Sequence, residues 1–439
     1  MSLAALSGAL AACGKAADIS LKARTDTPSG PVPATPTVAL ATLVPEAYSD
    51  KPRRPSPQVT GDDVRLFAAG HNAFGLAFYQ LLCSTIPGNL FFSPYSIAQA
   101  FTMLSAGARG NTAKQMAEVL HSAFPQERLH PAANALDLAL TSRGAAQDGF
   151  QLEIANSVWG QRGYTFRPEF LDLLAENYGA GLRTIDFRSA PEAARHKINA
   201  AIAEQTHDKI KDLLPPDSID PQTAMVLANA IYFNAKWHSP FKPYHTGVTP
   251  FHLNGGGTVA VPLMSQMASL RFVKNGDYEA VSLPYEGGVS MLVVMPPLGS
   301  MADFERGLNA ERLEAIQGRL GGNYIALGLP KFACQSASVS LRPVFTRLGM
   351  ADAFDSAKAD FSGIDGDHRL FLHDAYHQAM VRVDEEGTEA AAATAAVVEP
   401  AAGPSAQIVI DRPFIFAILD DATGALLFLG RIMNPAATA

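Results

Sequence analysis

Apolar residues recur at spacings of three and four along residues 62–82 (D-D-V-R-L-F-A-A-G-H-N-A-F-G-L-A-F-Y-Q-L-L), which predicts an amphipathic helix. N-L-F-F-S-P-Y-S-I at 89–97 reads as a short apolar strand that stops at Pro94, where a helix starts. Another helix opens at Asn111 or Thr112, and the helical pattern persists to about Gly149. A strand is expected over 151–160, with helices over 168–178 and 190–213. From there strands dominate: 223–237, 280–285 and 289–297, the last a continuous apolar run suited to a strand covered on both faces. Residues 324–331 form a further strand, and 341–350 return to helix with Gly349 as a glycine cap. The runs 408–419 and 425–432 flank D-D-A-T-G, a hairpin signal. Helices come first and strands later, the order of an α+β fold rather than a βαβ repeat.

One stretch departs from both periods. Val383 to Ser405 reads V-D-E-E-G-T-E-A-A-A-A-T-A-A-V-V-E-P-A-A-G-P-S. Alanine favours helix intrinsically, but the run lacks the large apolar residues that would hold a helix on a core. By composition it is a low-complexity linker. By side-chain size it also suits a strand that slides into a crowded slot between existing strands.

The chain of 439 residues is 48% hydrophobic, enough to bury a large core. A net charge of −8, with no Lys/Arg-rich block, argues against nucleic acid as a partner. Cys13, Cys83 and Cys334 offer no CxxC pair, metal-ligand spacing or disulfide framework, and the histidines are scattered. No cofactor or metal is expected. No H-E-x-x-H, Walker-type loop, G-x-G-x-x-G or G-x-S-x-G occurs, so nothing points to an enzyme.

Residues 1–13, ending L-A-A-C, are apolar and small but far short of the roughly 20 residues that span a bilayer. They resemble a bacterial lipoprotein export signal in which Cys13 becomes the lipidated residue, although no Lys or Arg precedes the apolar segment. The expectation is an exported chain whose contact with a membrane is a lipid anchor. Residues 14–60, with eight prolines among Thr, Ala and Ser, read as a disordered stalk. The folded domain then covers 61–435, followed by a tail at 436–439.

Within that domain, N-L-F-F-S-P-Y-S-I, L-A-N-A-I-Y-F-N-A-K-W, L-P-K-F, L-G-M-x-x-A-F, E-E-G-T-E-A-A-A-A-T-A and R-P-F-I-F…F-L-G-R-I-M-N-P resemble the serpins, in that family's order and spacing. The resemblance implies a large central mixed sheet, two smaller sheets, eight or nine helices and an exposed reactive-centre loop, on which the Ala-rich stretch falls. It implies a suicide inhibitor of serine, or cysteine, proteases. The protease attacks the loop, an acyl-enzyme forms, and the cut loop enters the central sheet as a new strand before water completes hydrolysis. The alternative in the same fold is a non-inhibitory chaperone, carrier or decoy substrate.

By the same resemblance Glu385, Glu386, Gly387, Thr388, Glu389, Ala390, Ala391, Ala392 and Ala393 form the loop's hinge, and Ala401–Ala402 is the reactive bond. Counting back from Pro413 gives Ala402–Gly403 instead, because the loop is one residue longer than the common length. Alanine at this point suits elastase- or subtilisin-like proteases with small primary pockets. Gly387 supplies the hinge at little steric cost. Thr388, Ala390, Ala392, Thr394 and Ala396 fall on one face, none bulky or charged. From Gly387 to Ala401 an extended chain reaches about 46 Å at roughly 3.3 Å per residue. Ser93, Ser96, Asn229 and His377 are implied to form a polar cluster that controls opening of the sheet, with Trp237 where the loop first enters. Ala260 stands where a lysine often pairs with Glu385, so that ion pair is expected to be absent. Residues 126–145 are not notably basic, so heparin is not expected as a partner, and the chain is expected to be a monomer.

Overall fold

A computed structural model describes residues 47–146, 149–388 and 403–437. Its strands in chain order are β1 (Leu90–Phe92), β2 (Phe150–Gln161), β3 (Leu182–Ile185), β4 (Met225–Lys236), β5 (Gly247–His252), β6 (Thr258–Lys274), β7 (Glu279–Pro284) and β8 (Val289–Met295). They continue as β9 (Gly321–Pro330), β10 (Phe332–Gln335), β11 (Val339–Ser340), β12 (Leu372–Val383), β13 (Gly387–Thr388), β14 (Ala406–Val409), β15 (Phe414–Asp420) and β16 (Leu426–Ile432). Four helices matter below: α1 (Gly61–Cys83), α2 (Pro94–Ser105), α3 (Gln126–Ala146) and α4 (Pro168–Tyr178). None of the described helices is long and apolar enough to cross a membrane.

The strands form two sheets. One runs β10-β12-β13-β4-β2-β3 with β11 against β12; the other runs β1-β16-β15-β8-β7-β6-β9-β14 with β5 against β6. Ten of the twelve residues of β4 are buried, Asn229 among them, as expected of a strand covered on both faces. An aromatic core lies between the sheets, where Phe233 of β4 packs on Tyr285 and on Phe428 of β16. A second core lies under α1 and α2, where Phe101 stacks on Phe345 at 3.9 Å.

Local chemistry sets the helix ends. Thr60 and Asp63 close a reciprocal capping box at the start of α1. Ser93 caps α2, with Pro94 in the first turn where its missing N–H costs nothing. Gly349 ends its helix at φ +114°.

Several expectations are corrected. The helix expected over 190–213 runs Pro191–Gln205, because His207 and Asp208 take left-handed backbone (φ 48° and 60°) and turn the chain away. The 408–419 run is two strands, β14 at the edge of its sheet and β15 in its middle, parted at Asp411-Arg412-Pro413. Pro413, with no N–H to donate, suits that break. The seventeen-residue β6 was not foreseen.

The stalk boundary also moves. Residues 47–60, read as disordered, lie on α3, α4 and β3: Ala47 bridges Leu182 of β3, and Arg53 pairs with Asp137 at 2.6 Å. Proline-rich composition led to the stalk reading; the basic side chains that find acidic partners hold the segment down. Cys13 and the first part of the stalk lie outside the described residues.

Candidate functional site

Strand β12 lies parallel to β4, with direct pairs from Leu372↔Met225 to Met380↔Tyr232. Beyond Met380 the two strands part, and the chain that leaves β12 turns back into the gap. Thr388 pairs with Val383 on one side and Ala235 on the other, and Gly387 with Lys236. Gly387 and Thr388, the third and fourth residues of the expected hinge, are thus already a strand between the two central strands.

The turn that brings them there is held at every residue. Trp237 donates its backbone N–H to Glu386 O (2.8 Å) and its indole N–H to Asp384 O (3.0 Å). Phe241 N–H donates to Glu385 O at 2.7 Å, and Asp384 N–H to Gly387 O at 2.9 Å. Trp237 stacks on Tyr285 at 4.1 Å and 10°, and the Tyr285 hydroxyl meets Thr388 Oγ1 at 2.7 Å. Gly387 is required here: a Cβ would stand 2.1 Å from Ala235 O.

Glu385 does have its ion pair. Lys331 Nζ lies 2.7 Å from Glu385 Oε2, and Thr246 Oγ1 donates to Oε1 at 2.8 Å. The expected absence, argued from Ala260, is corrected: a lysine from the neighbouring strand junction reaches the same carboxylate. Lys331 stands in the L-P-K-F motif, so it was visible, but its direction was not. Burial alone would raise the Glu385 carboxyl; the hydrogen bonds from Lys331 and Thr246 outweigh it and hold the group below its ordinary value.

Beneath the directly paired part of the slot lies a buried polar row. His377 of β12, Asn229 of β4 and Asn156 of β2 are register partners across three strands. Ser93 N–H donates to His377 Nε2 at 3.2 Å, so the ring proton sits on Nδ1 and is donated to Asn229 Oδ1. Asn229 Nδ2 reaches Ser96 O (2.9 Å), Ser96 Oγ (2.8 Å) and Asn156 Oδ1. Ser93 Oγ accepts from Ser96 N–H and donates to Leu427 O. Burial pushes His377 down to about 3, so the ring is neutral and its single N–H bridges β12 and β4.

Ser93, Ser96, Asn229 and His377 therefore do come together, and Trp237, Glu385, Glu386, Gly387 and Thr388 form the seat above them. Asn156, Tyr285, Thr246 and Lys331 complete these groups and were not foreseen as members. Glu389, Ala390, Ala391, Ala392, Ala393, Ala401 and Ala402 lie outside the described residues.

Residues 69–435 match the sequence profile of the serpin (serine protease inhibitor) family. An uncharacterized serpin-like protein of Thermococcus kodakarensis is 38% identical over 83% of this chain and 84% of its own length. Leukocyte elastase inhibitor of Bos taurus is 38% identical over 84% of this chain and 99% of its own. Among solved structures, human thyroxine-binding globulin with bound thyroxine has a TM-score of 0.76 at 29% identity, covering 85% of this chain and all of that one. Uncleaved ovalbumin gives 0.76 at 28%, covering 84% and all of that chain. The hinge seat and the polar row under the paired strands thus belong to a chain similar in sequence to named protease inhibitors and in fold to two serpin-fold structures: this protein is a member of the serpin family, whose named inhibitors act on proteases rather than as enzymes.

Proposed function

We propose that the chain is a suicide inhibitor of serine proteases with small primary pockets, acting by insertion of its cleaved loop between β12 and β4. The register at the seat carries this reading. Thr388 sets Val383 abreast of Ala235, the same offset at which Met380 faces Tyr232 where the strands pair directly. A strand continuing from Thr388 therefore meets both neighbours without either changing its level. Ala390 falls between Val381 and Phe233, Ala392 between Ala379 and Ile231, and Thr394 between His377 and Asn229. Val397 falls between Asp374 and Val226, the last level before the β12–β4 register shifts, and Pro400, which cannot donate a ladder bond, comes beyond both strands. The loop length fits the slot, and the inward side chains are small where the slot is crowded. Thr394 brings the one hydroxyl able to replace the His377–Asn229 bond that insertion breaks.

A loop that enters this way carries an acylated protease from one end of the sheet to the other. The strain on its catalytic serine pulls the ester from the oxyanion donors on which deacylation depends. Alanine at the reactive bond, Ala401–Ala402, fits elastase- or subtilisin-like enzymes. Lipid on Cys13 would hold the inhibitor at the outside of a membrane.

The experiment mixes the chain with pancreatic elastase and, separately, subtilisin, followed by denaturing gels and intact mass. A complex at the summed mass that survives boiling in detergent, with release of a peptide starting at Ala402, is the expected result. Cleavage without complex, and with no rise in melting temperature of the cut chain, would establish the non-inhibitory alternative.

A further inference from the structure

The segment before α1 occupies a built groove. Ala47 O accepts from Leu182 N–H at 3.1 Å on β3, the edge strand of the sheet. Lys51 pairs with Asp172 of α4 at 2.9 Å. Arg53 bridges Asn134 (2.8 Å) and Asp137 (2.6 Å) of α3, and Arg54 N–H donates to Glu176 O at 2.8 Å. Gly181 leaves the room: a Cβ there would meet Ala47 O at 2.9 Å.

If the loop inserts as proposed, this segment joins a shifting part of the sheet to a helix held by the C-terminal hairpin. For a strand to enter between β12 and β4, the half-sheet β4-β2-β3 must shift from β12 by about 4.8 Å. The segment is fastened to that half through β3. At its other end it becomes α1, which is bound to the C-terminal hairpin: Asn72 Nδ2 donates to Gly424 O, and Leu426 N–H to Asn72 Oδ1, both at 2.8 Å. Pro55 and Pro57 limit the slack between.

We infer that residues 47–60 are a ligand held in cis by an acidic groove on β3, α3 and α4, and that their seating slows the opening of the sheet. The groove takes a basic, extended peptide, through one edge-strand hydrogen bond and the carboxylates Asp137, Asp172 and Glu176. The inference rests on the inhibitory reading, since only a sheet that opens is slowed by such a tie.

The test uses the full chain and a synthetic peptide of residues 388–399 offered in trans, with uptake followed by native mass spectrometry and by the rise in melting temperature. Two variants loosen the segment independently: Lys51→Ala/Arg53→Ala/Arg54→Ala removes its charges, and Gly181→Val fills its groove. Both are expected to take up the peptide about tenfold faster than the unaltered chain, the ratio expected if a few surface pairs stabilise the closed form but not the barrier. Raising salt from about 50 to about 500 mM shortens the Debye length, and should narrow the gap between the charge variant and the unaltered chain. Folded variants that take up peptide within about twofold of the unaltered chain would overturn the inference and leave the inhibitory reading intact. If neither variant folds, the salt series on the unaltered chain decides: uptake no faster at high salt overturns it. No uptake by any chain would remove both, because the sheet would not open.

Discussion

The hydroxyls of Thr388 and Tyr285 stand 2.7 Å apart in a fully buried setting, and this contact fixes how deeply the hinge sits in the sheet of the uncut protein. It couples the loop to Trp237 as well, since the indole stacks on the same tyrosine ring.

An arginine cannot occupy the Thr388 seat, which is closed on both sides by strand and beneath by Tyr285. Thr388→Arg is expected to leave the loop cleavable while abolishing the detergent-stable complex, read as the ratio of complex to cut product on a gel. Thr388→Val removes only the hydroxyl contact and should cost about 1 kcal/mol in a urea unfolding series.

Gly387→Ala forces a methyl group onto the Ala235 carbonyl. The strand must shift or the hinge must leave, at a cost of about 1–3 kcal/mol. Tryptophan fluorescence should change with it, because Trp237 loses the turn that its backbone and indole N–H groups hold.

Much of this arrangement is legible in the sequence. The resemblance placed Ser93, Ser96, Asn229 and His377 together because motif order fixes which strand each stands on. The Lys331–Glu385 pair was not readable, because it depends on where a side chain at a strand junction points. The segment 47–60 was misread because its ordering depends on acids 80 or more residues away in sequence, Asp137 and Glu176 among them. Strand β6 was overlooked because many of its residues face water, so its apolar pattern is diluted.

Lys331→Ala strands the Glu385 carboxylate at the seat and should lower stability by about 1 kcal/mol near neutral pH. Because the folded carboxyl sits below its ordinary 4.5, the pair's contribution is complete above that pH and is lost as pH falls through the folded value. The difference between variant and unaltered chain should therefore shrink on acidification, which urea midpoints between pH 7 and pH 3 would register.

Three buried histidines make the protein acid-sensitive over a higher window. Burial holds His71 and His377 at about 3 and His130 at about 4, against an ordinary 6.5. The unfolded chain binds protons below 6.5 that the folded chain refuses, so stability is complete above pH 6.5 and falls as pH drops toward those folded values. Each histidine contributes a slope of about 1.4 kcal/mol per pH unit in that range. Unfolding free energies at pH 7, 6 and 5 measure the slope; a flat profile would contradict neutral burial.

A charge at position 394 would land between His377 and Asn229. Thr394→Glu should halt the inserting strand partway. The cut chain should then gain less melting temperature than the unaltered cut chain, and the yield of trapped protease should fall.

The β12–β4 pairing is parallel, while a strand continuing from Thr388 is antiparallel to both neighbours. Parallel ladders are slightly the weaker per residue, so insertion exchanges one weaker seam for two stronger ones. If the loop inserts as proposed, the uncut fold is not the lowest free-energy arrangement of its own chain. Its persistence is a matter of barrier height, and its apparent melting point should rise with the speed at which it is heated.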